Sequence, residues 1–240
     1  MDVEPSIAII GALIGVPARA NILGALMDGR AQTATELALH AGVSPQTTSS
    51  HLAKLTDAKL LVVEAEGRHR YYRIASPAVA EALEPLTLIV AHRPVPARRR
   101  SSRLEAERRA RMCYDHLAGR LGVAIAAAMV ARDYLGPGGR DFELTAAGER
   151  FFAALGIDAQ RARRQRRAFA RRCLDWSERR PHLAGALGAA FAAHCVARGW
   201  IRRAKADRSV LVGAAGRRAF SELLDLTPPD WGEDLPSGKD

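Results

Sequence analysis

The stretch Val43-Ser44-Pro45-Gln46-Thr47-Thr48-Ser49-Ser50-His51-Leu52-Ala53-Lys54-Leu55 constrains the fold more than any other part of the chain. Ser44 has N-cap chemistry, because its hydroxyl can accept from an unpaired N–H of the first helical turn. Pro45 suits the first helical position, where its missing N–H costs nothing. Thr48, Leu52 and Leu55 recur at spacings of four and three and so share one face. Gln46, Thr47, Ser50, His51 and Lys54 fall largely on the other side. That face carries short hydrogen-bonding groups and almost no acid, which suits a helix lying in a DNA major groove. An ordinary amphipathic surface helix mixes Glu and Lys there.

The flanking residues extend this pattern. Residues 6–14 read as an apolar first helix, and Pro17 starts a second that Asp28-Gly29 closes. Thr33-Ala34-Thr35-Glu36-Leu37-Ala38-Leu39-His40-Ala41-Gly42 reads as a short third helix with a glycine stop. Two short helices joined by a tight Gly-containing turn, the second facing a groove, is the helix-turn-helix arrangement. After Asp57-Ala58-Lys59 the period changes. Leu60-Leu61-Val62-Val63-Glu64-Ala65 is β-branched and apolar, Gly67 offers a turn, and His69-Arg70-Tyr71-Tyr72-Arg73-Ile74 alternates, which predicts a hairpin. Arg68, His69 and Arg70 sit at its tip, placed to meet phosphate oxygens or a minor groove. A solvated hairpin tip is also often charged. Pro77 begins a further apolar helix running to about residue 91.

Residues 15–93 resemble the ArsR-type winged helix-turn-helix regulators of bacteria. The resemblance rests on Thr35-Glu36-Leu37-Ala38, Val43-Ser44, Ser49-Ser50-His51-Leu52-Ala53-Lys54-Leu55, and the wing Glu66-Gly67-Arg68 followed by Tyr71-Tyr72-Arg73-Ile74. It implies a homodimer paired through the first helix and the helix after the wing, with two recognition helices in successive major grooves of double-stranded operator DNA. It also implies a repressor released when an effector binds. DNA contact then falls to Ser44, Gln46, Thr47, Ser49, Ser50, His51 and Lys54 from the helix and to Arg68, His69 and Arg70 from the wing. Metal-sensing members carry Cys-x-Cys before the turn, where this chain has Leu37-Ala38-Leu39-His40. Others hold zinc on the helix after the wing, where only Glu81, Glu84 and His92 stand. These do not supply three or four well-chosen ligands, so no confident metal site follows from the resemblance.

Charge points the same way but locates nothing. The formal net charge of +10 and a pI near 10.3 suggest a polyanionic partner. Yet residues 1–93 net −1, residues 94–180 net +10, and residues 181–240 net +1. The reading head is nearly neutral, so its specificity must come from hydrogen-bonding side chains. Three unpaired cysteines fit a reducing, cytoplasmic compartment. The apolar run at residues 7–16 is too short to span a bilayer and lacks a basic flank, so a buried or dimer-forming helix is expected rather than a membrane segment.

Residues 94–102, with two prolines and an arginine run, read as a basic linker, and residues from 227, rich in proline and acid, as a disordered tail. A long helix is expected over residues 104–134. His116-Leu117-Ala118-Gly119-x-Leu121-Gly122-x-Ala124-x-Ala126-Ala127 recurs as His182-Leu183-Ala184-Gly185-x-Leu187-Gly188-x-Ala190-x-Ala192-Ala193, an offset of 66. Tyr134-Leu135 and Trp200-Ile201 continue the match, as do Ala146-Ala147-Gly148 and Ala214-Ala215-Gly216. An internal repeat is therefore expected, residues 116–152 and 182–220, each copy reading helix, short hairpin, helix. The arginine-rich segment 161–172 bridges them.

The fold expected is mainly α with small β-hairpins. Residues 1–93 form a winged helix-turn-helix domain for DNA binding and dimerisation, and residues 103–226 an α-rich effector domain. Polar residues gather at the two entrances of the repeat: Cys113, Tyr114, Asp115 and His116 before the first, and Cys173, Asp175, Trp176 and His182 before the second. Three effector chemistries fit them: a metal held by thiolate and imidazole, an organic ligand stacked on Tyr114 and Trp176 with Arg179 or Arg180 opposite a carboxylate, or a reactive thiol. Capping histidines and core cysteines account for the same residues without any ligand, and Cys195 reads as core. No GxSxG, HExxH or phosphate-cradling loop is present, so an enzyme is not expected. The alternative to a regulator is a small-molecule-binding protein or enzyme that uses the winged helix only as a dimerisation scaffold.

Overall fold

Local signals suffice for the first part of the chain. The structure is a computed structural model, and it describes residues 7–90, 102–136, 138–205 and 207–227. Helix α1 (Ile7–Ile14) leads into α2 (Pro17–Leu26), and strand β1 (Gln32–Thr33) precedes α3 (Ala34–Ala41). Thr33 accepts from the Glu36 backbone N–H while the Glu36 carboxylate accepts from the Thr33 N–H, a reciprocal cap that fixes the start of α3. Gly42, at φ +67°, ends that helix in the left-handed region. Helix α4 (Pro45–Asp57) begins at Ser44, whose hydroxyl accepts from Thr47 N–H at 3.2 Å. Strands β2 (Leu61–Glu66) and β3 (His69–Ile74) pair antiparallel around a Gly67-Arg68 turn, with Glu66 opposite His69. Strand β1 adds to the outer side of β3, giving the order β1-β3-β2. Ile22, Leu26, Leu37, Leu52, Leu55, Leu61 and Ile74 fill the core beneath. Helix α5 (Pro77–Val90) follows.

The chain divides within α5 into two compact units, one ending at Ala82 and the other beginning at Leu83. The second unit departs from expectation at once. In place of one long helix over residues 104–134 stand α6 (Ser102–Arg109), the hairpin β4 (Arg111–Cys113) and β5 (His116–Ala118), and only then α7 (Gly119–Ala131). Alanine-rich composition favours helix, but the backbone reverses at Tyr114, φ +59°, and again at Gly119, φ +75°. A Cβ at Gly119 would stand 2.8 Å from the Arg108 carbonyl oxygen, so the close approach of chain to chain requires glycine. Tertiary pairing thus overrides local preference.

The unit continues with β6 (Leu135–Gly136), β7 (Glu143–Leu144), α8 (Ala146–Ala154) and the short α9 (Ala159–Arg163). Then come β8 (Arg172–Leu174), β9 (Pro181–Leu183), α10 (Gly185–Ala197), β10 (Ile201–Arg203), β11 (Val210–Val212) and α11 (Ala214–Leu224). Its strands form four separate two-stranded antiparallel ladders. The halves run through one order, hairpin, helix, hairpin, helix, so each opens on a hairpin rather than the expected helix. The boundaries of α7 and α10 keep the offset of 66. A Cβ at Gly148 would meet the Tyr134 carbonyl oxygen at 2.0 Å, and one at Gly216 the Trp200 carbonyl oxygen at 2.1 Å. Phe152, Phe191, Trp200 and Phe220 pack edge to face through the core. The arginine-rich segment holds α9, and Arg163 lies over the Phe169 ring at 4.1 Å. The expected linker and tail fall outside the described residues, save Ser102, the first residue of α6, and Thr227.

Candidate functional site

In the first unit, α4 buries Thr48, Leu52 and Leu55 and exposes Gln46, Thr47, Ser49, Ser50 and Lys54. Three of the expected DNA-facing groups also make contacts within the helix. The Ser44 hydroxyl serves as the cap and lies 2.8 Å from the Thr47 hydroxyl, and the Ser49 hydroxyl donates to the Pro45 carbonyl at 3.0 Å. These three side chains shape the helix. His51 is half-buried, and burial, with Arg19 and Lys54 nearby, holds its pKa below the ordinary value. A neutral ring is a weak phosphate contact. Gln46, Ser50 and Lys54 remain as outward-facing groups. On the wing, Arg68 occupies the turn, while His69 and Arg70 begin β3; all three are exposed. A groove of about 460 Å³ runs between α4 and the wing, bordered by Thr33, Thr35, Ser49, Thr56, Arg68 and Arg70.

In the second unit, the two repeat entrances meet. Cys113 stands directly opposite His116 in the β4–β5 ladder, and Cys173 directly opposite His182 in the β8–β9 ladder. Directly opposed residues of a ladder project to the same face, so each hairpin presents one thiol and one imidazole together. One ligand-type atom from each of the four lies within 4.8 Å of every other. The imidazole Nε2 atoms approach to 3.1 Å. Glycines permit this approach reciprocally: a Cβ on Gly122 would stand 3.6 Å from the His182 Cβ, and one on Gly188 would stand 3.4 Å from the His116 Cβ. Cys113, His116 and His182 are 2%, 5% and 0% exposed, while Cys173 is partly exposed and forms the open side.

Each histidine has a carboxylate behind it. His116 Nδ1 lies 3.3 Å from Asp115 Oδ1, and His182 Nδ1 lies 3.5 Å from Asp175 Oδ2. Asp115 is paired with Arg167. Asp175 Oδ2 accepts from Arg111 at 3.0 Å and from Gly119 N–H at 2.7 Å, and Oδ1 accepts from the Ser177 and Glu178 backbone. Asp175 therefore ties the second hairpin's turn to the start of α7. Arg111, fully buried, also covers the Trp176 indole at 4.6 Å, which occupies a face expected to stack a ligand. Glu84, from α5, lies 4.0 Å from Arg111. Tyr114 forms the first hairpin's turn, and Arg179 and Arg180 are exposed in the turn of the second.

The charges respond to this crowding. A hydrogen bond to the Cys173 sulfur, together with burial, raises the Cys113 thiol well above its ordinary pKa. For His116, burial disfavours the charged ring, but the Cys113 sulfur and the Asp115 carboxylate favour it more, and its pKa rises to about 9. Burial and the neighbouring His116 push His182 well down. Burial opposes ionisation of Asp175, yet Arg111 and His182 hold it at about 2.

Sequence reasoning missed Arg111, Ser177 and the capping box at Thr33. A Thr-x-x-Glu pattern announces the box. Nothing in the sequence marks Arg111 as the partner of a residue 64 positions away.

A helix-turn-helix domain family matches residues 15–64. Over 223 residues the chain is 44% identical to YdfF, an HTH-type transcriptional regulator of Bacillus subtilis (strain 168), a match spanning 93% of this chain and 99% of that protein. It is 36% identical over 87 residues to the HTH-type transcriptional regulator CmtR of Mycobacterium tuberculosis (strain ATCC 25618 / H37Rv), spanning 36% of this chain and 73% of that protein. Among solved structures, the NMR structure of the cadmium metal-sensor CMTR from Mycobacterium tuberculosis is similar over 39% of this chain and all of that one, with 34% identity and a TM-score of 0.31. The homodimeric winged helix-turn-helix domain Mb0332 from Mycobacterium bovis, a possible ArsR-family transcriptional regulator, is similar over 35% of this chain and 77% of that one, with 26% identity and a TM-score of 0.33.

Proposed function

Since the chain belongs to the HTH-type transcriptional regulators, we propose that it is an ArsR-type, sequence-specific, double-stranded-DNA-binding repressor. Its second unit then senses the effector that releases it. The carrying observation is the outward face of α4, polar and free of acid before Asp57, beside a wing that exposes Arg68 and Arg70. Gln46 and Ser50 read base edges, and Lys54 with the wing arginines binds phosphate. Ser44, Thr47 and Ser49 set the pose of the helix, and His51 supports it from the half-buried side.

The reading includes a homodimer. Among the described residues none of helix α1 is buried, and Ile7, Ile9 and Ile10 are 91%, 50% and 39% exposed. Such a strip calls for a partner, and a second copy supplies one with two-fold symmetry matched to a pseudo-palindromic operator. Footprinting on the DNA upstream of its own coding region tests the proposal. A protected pseudo-palindrome at moderate salt is expected; binding that remains uniform across sequences overturns it.

A further inference from the structure

We propose that Cys113, His116, Cys173 and His182 form a tetrahedral site for one zinc-class divalent ion, buried between the two hairpins of the second unit. The four groups are a two-thiolate, two-imidazole set, the combination that zinc favours in closed structural or sensing sites. Zinc–sulfur and zinc–nitrogen bonds of about 2.3 and 2.0 Å place tetrahedral ligand atoms roughly 3.3–3.8 Å apart. The four atoms here lie within 4.8 Å of one another, with the nitrogens at 3.1 Å, so small side-chain rotations complete the shell.

The contacts around the two rings accommodate a cation as well as a shared proton. Asp115 and Asp175 each face the Nδ1 atom of one histidine. If each Nδ1 carries its hydrogen toward that carboxylate, the two Nε2 lone pairs confront each other at 3.1 Å. If one Nε2 donates to the other instead, a bare Nδ1 lone pair faces a carboxylate. A proton between the rings relieves the nitrogens alone. A metal ion relieves them and also takes both sulfurs as thiolates, releasing their protons to solvent. The two carboxylates then act as orienting groups for the metal-bound rings, the usual arrangement behind a ligating histidine.

Charge balance permits this burial. Asp115 is paired with Arg167 and Asp175 with Arg111. A divalent ion with two thiolates adds no net charge to the interior, where an unpaired charge is costly. Partly exposed Cys173 gives the ion a way in. In the sequence the set reads Cys-x2-His and, 59 residues after His116, Asp175 and the longer Cys-x8-His turn. No family position of the winged helix contributes to it. Ion binding stands on this geometry alone; that the ion is the effector rests on the reading of the chain as a DNA-binding regulator.

The full-length protein, reduced and stripped with chelator, is titrated with Co²⁺. One equivalent is expected to bind with a sulfur-to-metal charge-transfer band and intense tetrahedral ligand-field bands, and Zn²⁺ is expected to abolish both. Cys173→Ser, at the partly exposed ligand, should eliminate the charge-transfer intensity of one thiolate and weaken binding. Asp115→Asn should keep the spectrum and lower affinity roughly 10–100-fold. Absence of tetrahedral bands in the unaltered protein overturns the site, as does a spectrum unchanged in Cys173→Ser. A Cys113–Cys173 disulfide that persists in reductant overturns it too. Gel-shift titration of the footprinted fragment with stripped and Zn²⁺-loaded protein separates the second claim. A change of at least about 5-fold is expected for an effector. Unchanged DNA affinity with the tetrahedral spectrum present overturns the signalling role and upholds the site. No DNA binding in either form overturns the regulator reading, again with the site upheld by its spectrum.

Discussion

The two units treat polar side chains in opposite ways. On α4, polar groups stand at the surface and are arranged by neighbours three or four residues away: Ser44 caps through Thr47, and Ser49 folds back on Pro45. In the second unit, the imidazoles, thiols and carboxylates are buried and assembled from hairpins some sixty residues apart. A surface face exchanges water for DNA at little cost to stability. A buried cluster must be satisfied internally, so its residues hold the fold and the chemistry together. Substitutions should therefore alter binding in the first unit and folding in the second.

Arg111→Met is the harshest test of that contrast. It leaves the Asp175 carboxylate buried without its guanidinium partner, and losses of this kind cost about 3–5 kcal/mol. Chemical denaturation followed by far-UV circular dichroism should show the transition move to much lower denaturant. Survival of the second unit at wild-type stability would break the comparison. Gly188→Ala comes next. The new Cβ would press on the Leu183 carbonyl oxygen at 2.4 Å and crowd His116, and overpacking of this order costs about 1–3 kcal/mol. Gly24→Ala, in the first unit where a Cβ meets nothing within 4 Å, is the matched control and should be neutral or mildly stabilising.

In the first unit, Gln46→Ala should leave the melting temperature unchanged and remove about 1–3 kcal/mol of discrimination at one base pair. Competition gel shifts with single-base operator variants measure it. Arg68→Ala should weaken all sequences evenly and reduce the salt slope by about 1. Ser44→Ala crosses the boundary, since it touches no base in the proposed pose but costs about 0.5–2 kcal/mol of helix stability; thermal melting reports it. The smallest effect is expected at Glu36. Hydrogen bonds from the Thr33 backbone and hydroxyl hold its carboxyl below the ordinary carboxylate value. Its stabilising contribution is present above the unfolded-state pKa and is lost as pH falls through the lower folded value. Glu36→Gln should therefore narrow the stability difference between neutral and acidic pH, by melting curves compared at the two.

How much was legible follows from range. Ser44-Pro45, the Thr48/Leu52/Leu55 stripe, Gly42 and the alternating His69–Ile74 strand are local signals, and each element formed where its residues placed it. The expected repeat has an offset of 66, and the bounds of α7 and α10 are 66 residues apart. The residues of the candidate cluster were also visible as entrances to that repeat. Their convergence was not. Residues 104–134 look helical because alanine, leucine and arginine favour helix locally, and nothing in that window reports the left-handed turn at Tyr114 or the chain packed against Gly119.

By itself, then, the sequence determined helix α4 and its polar face, because caps, stripes and turns are contacts within a few residues. It also grouped Cys113 with His116 and Cys173 with His182 as two sets, Cys-x2-His and Cys-x8-His. Only the tertiary structure decided that the sets face each other. Cross-strand pairing aimed each cysteine and histidine to one side, and glycines 122 and 188 let the two hairpins close to ligand distance. That closure depends on shape and packing between distant segments, and the sequence carries it only as the absence of a Cβ.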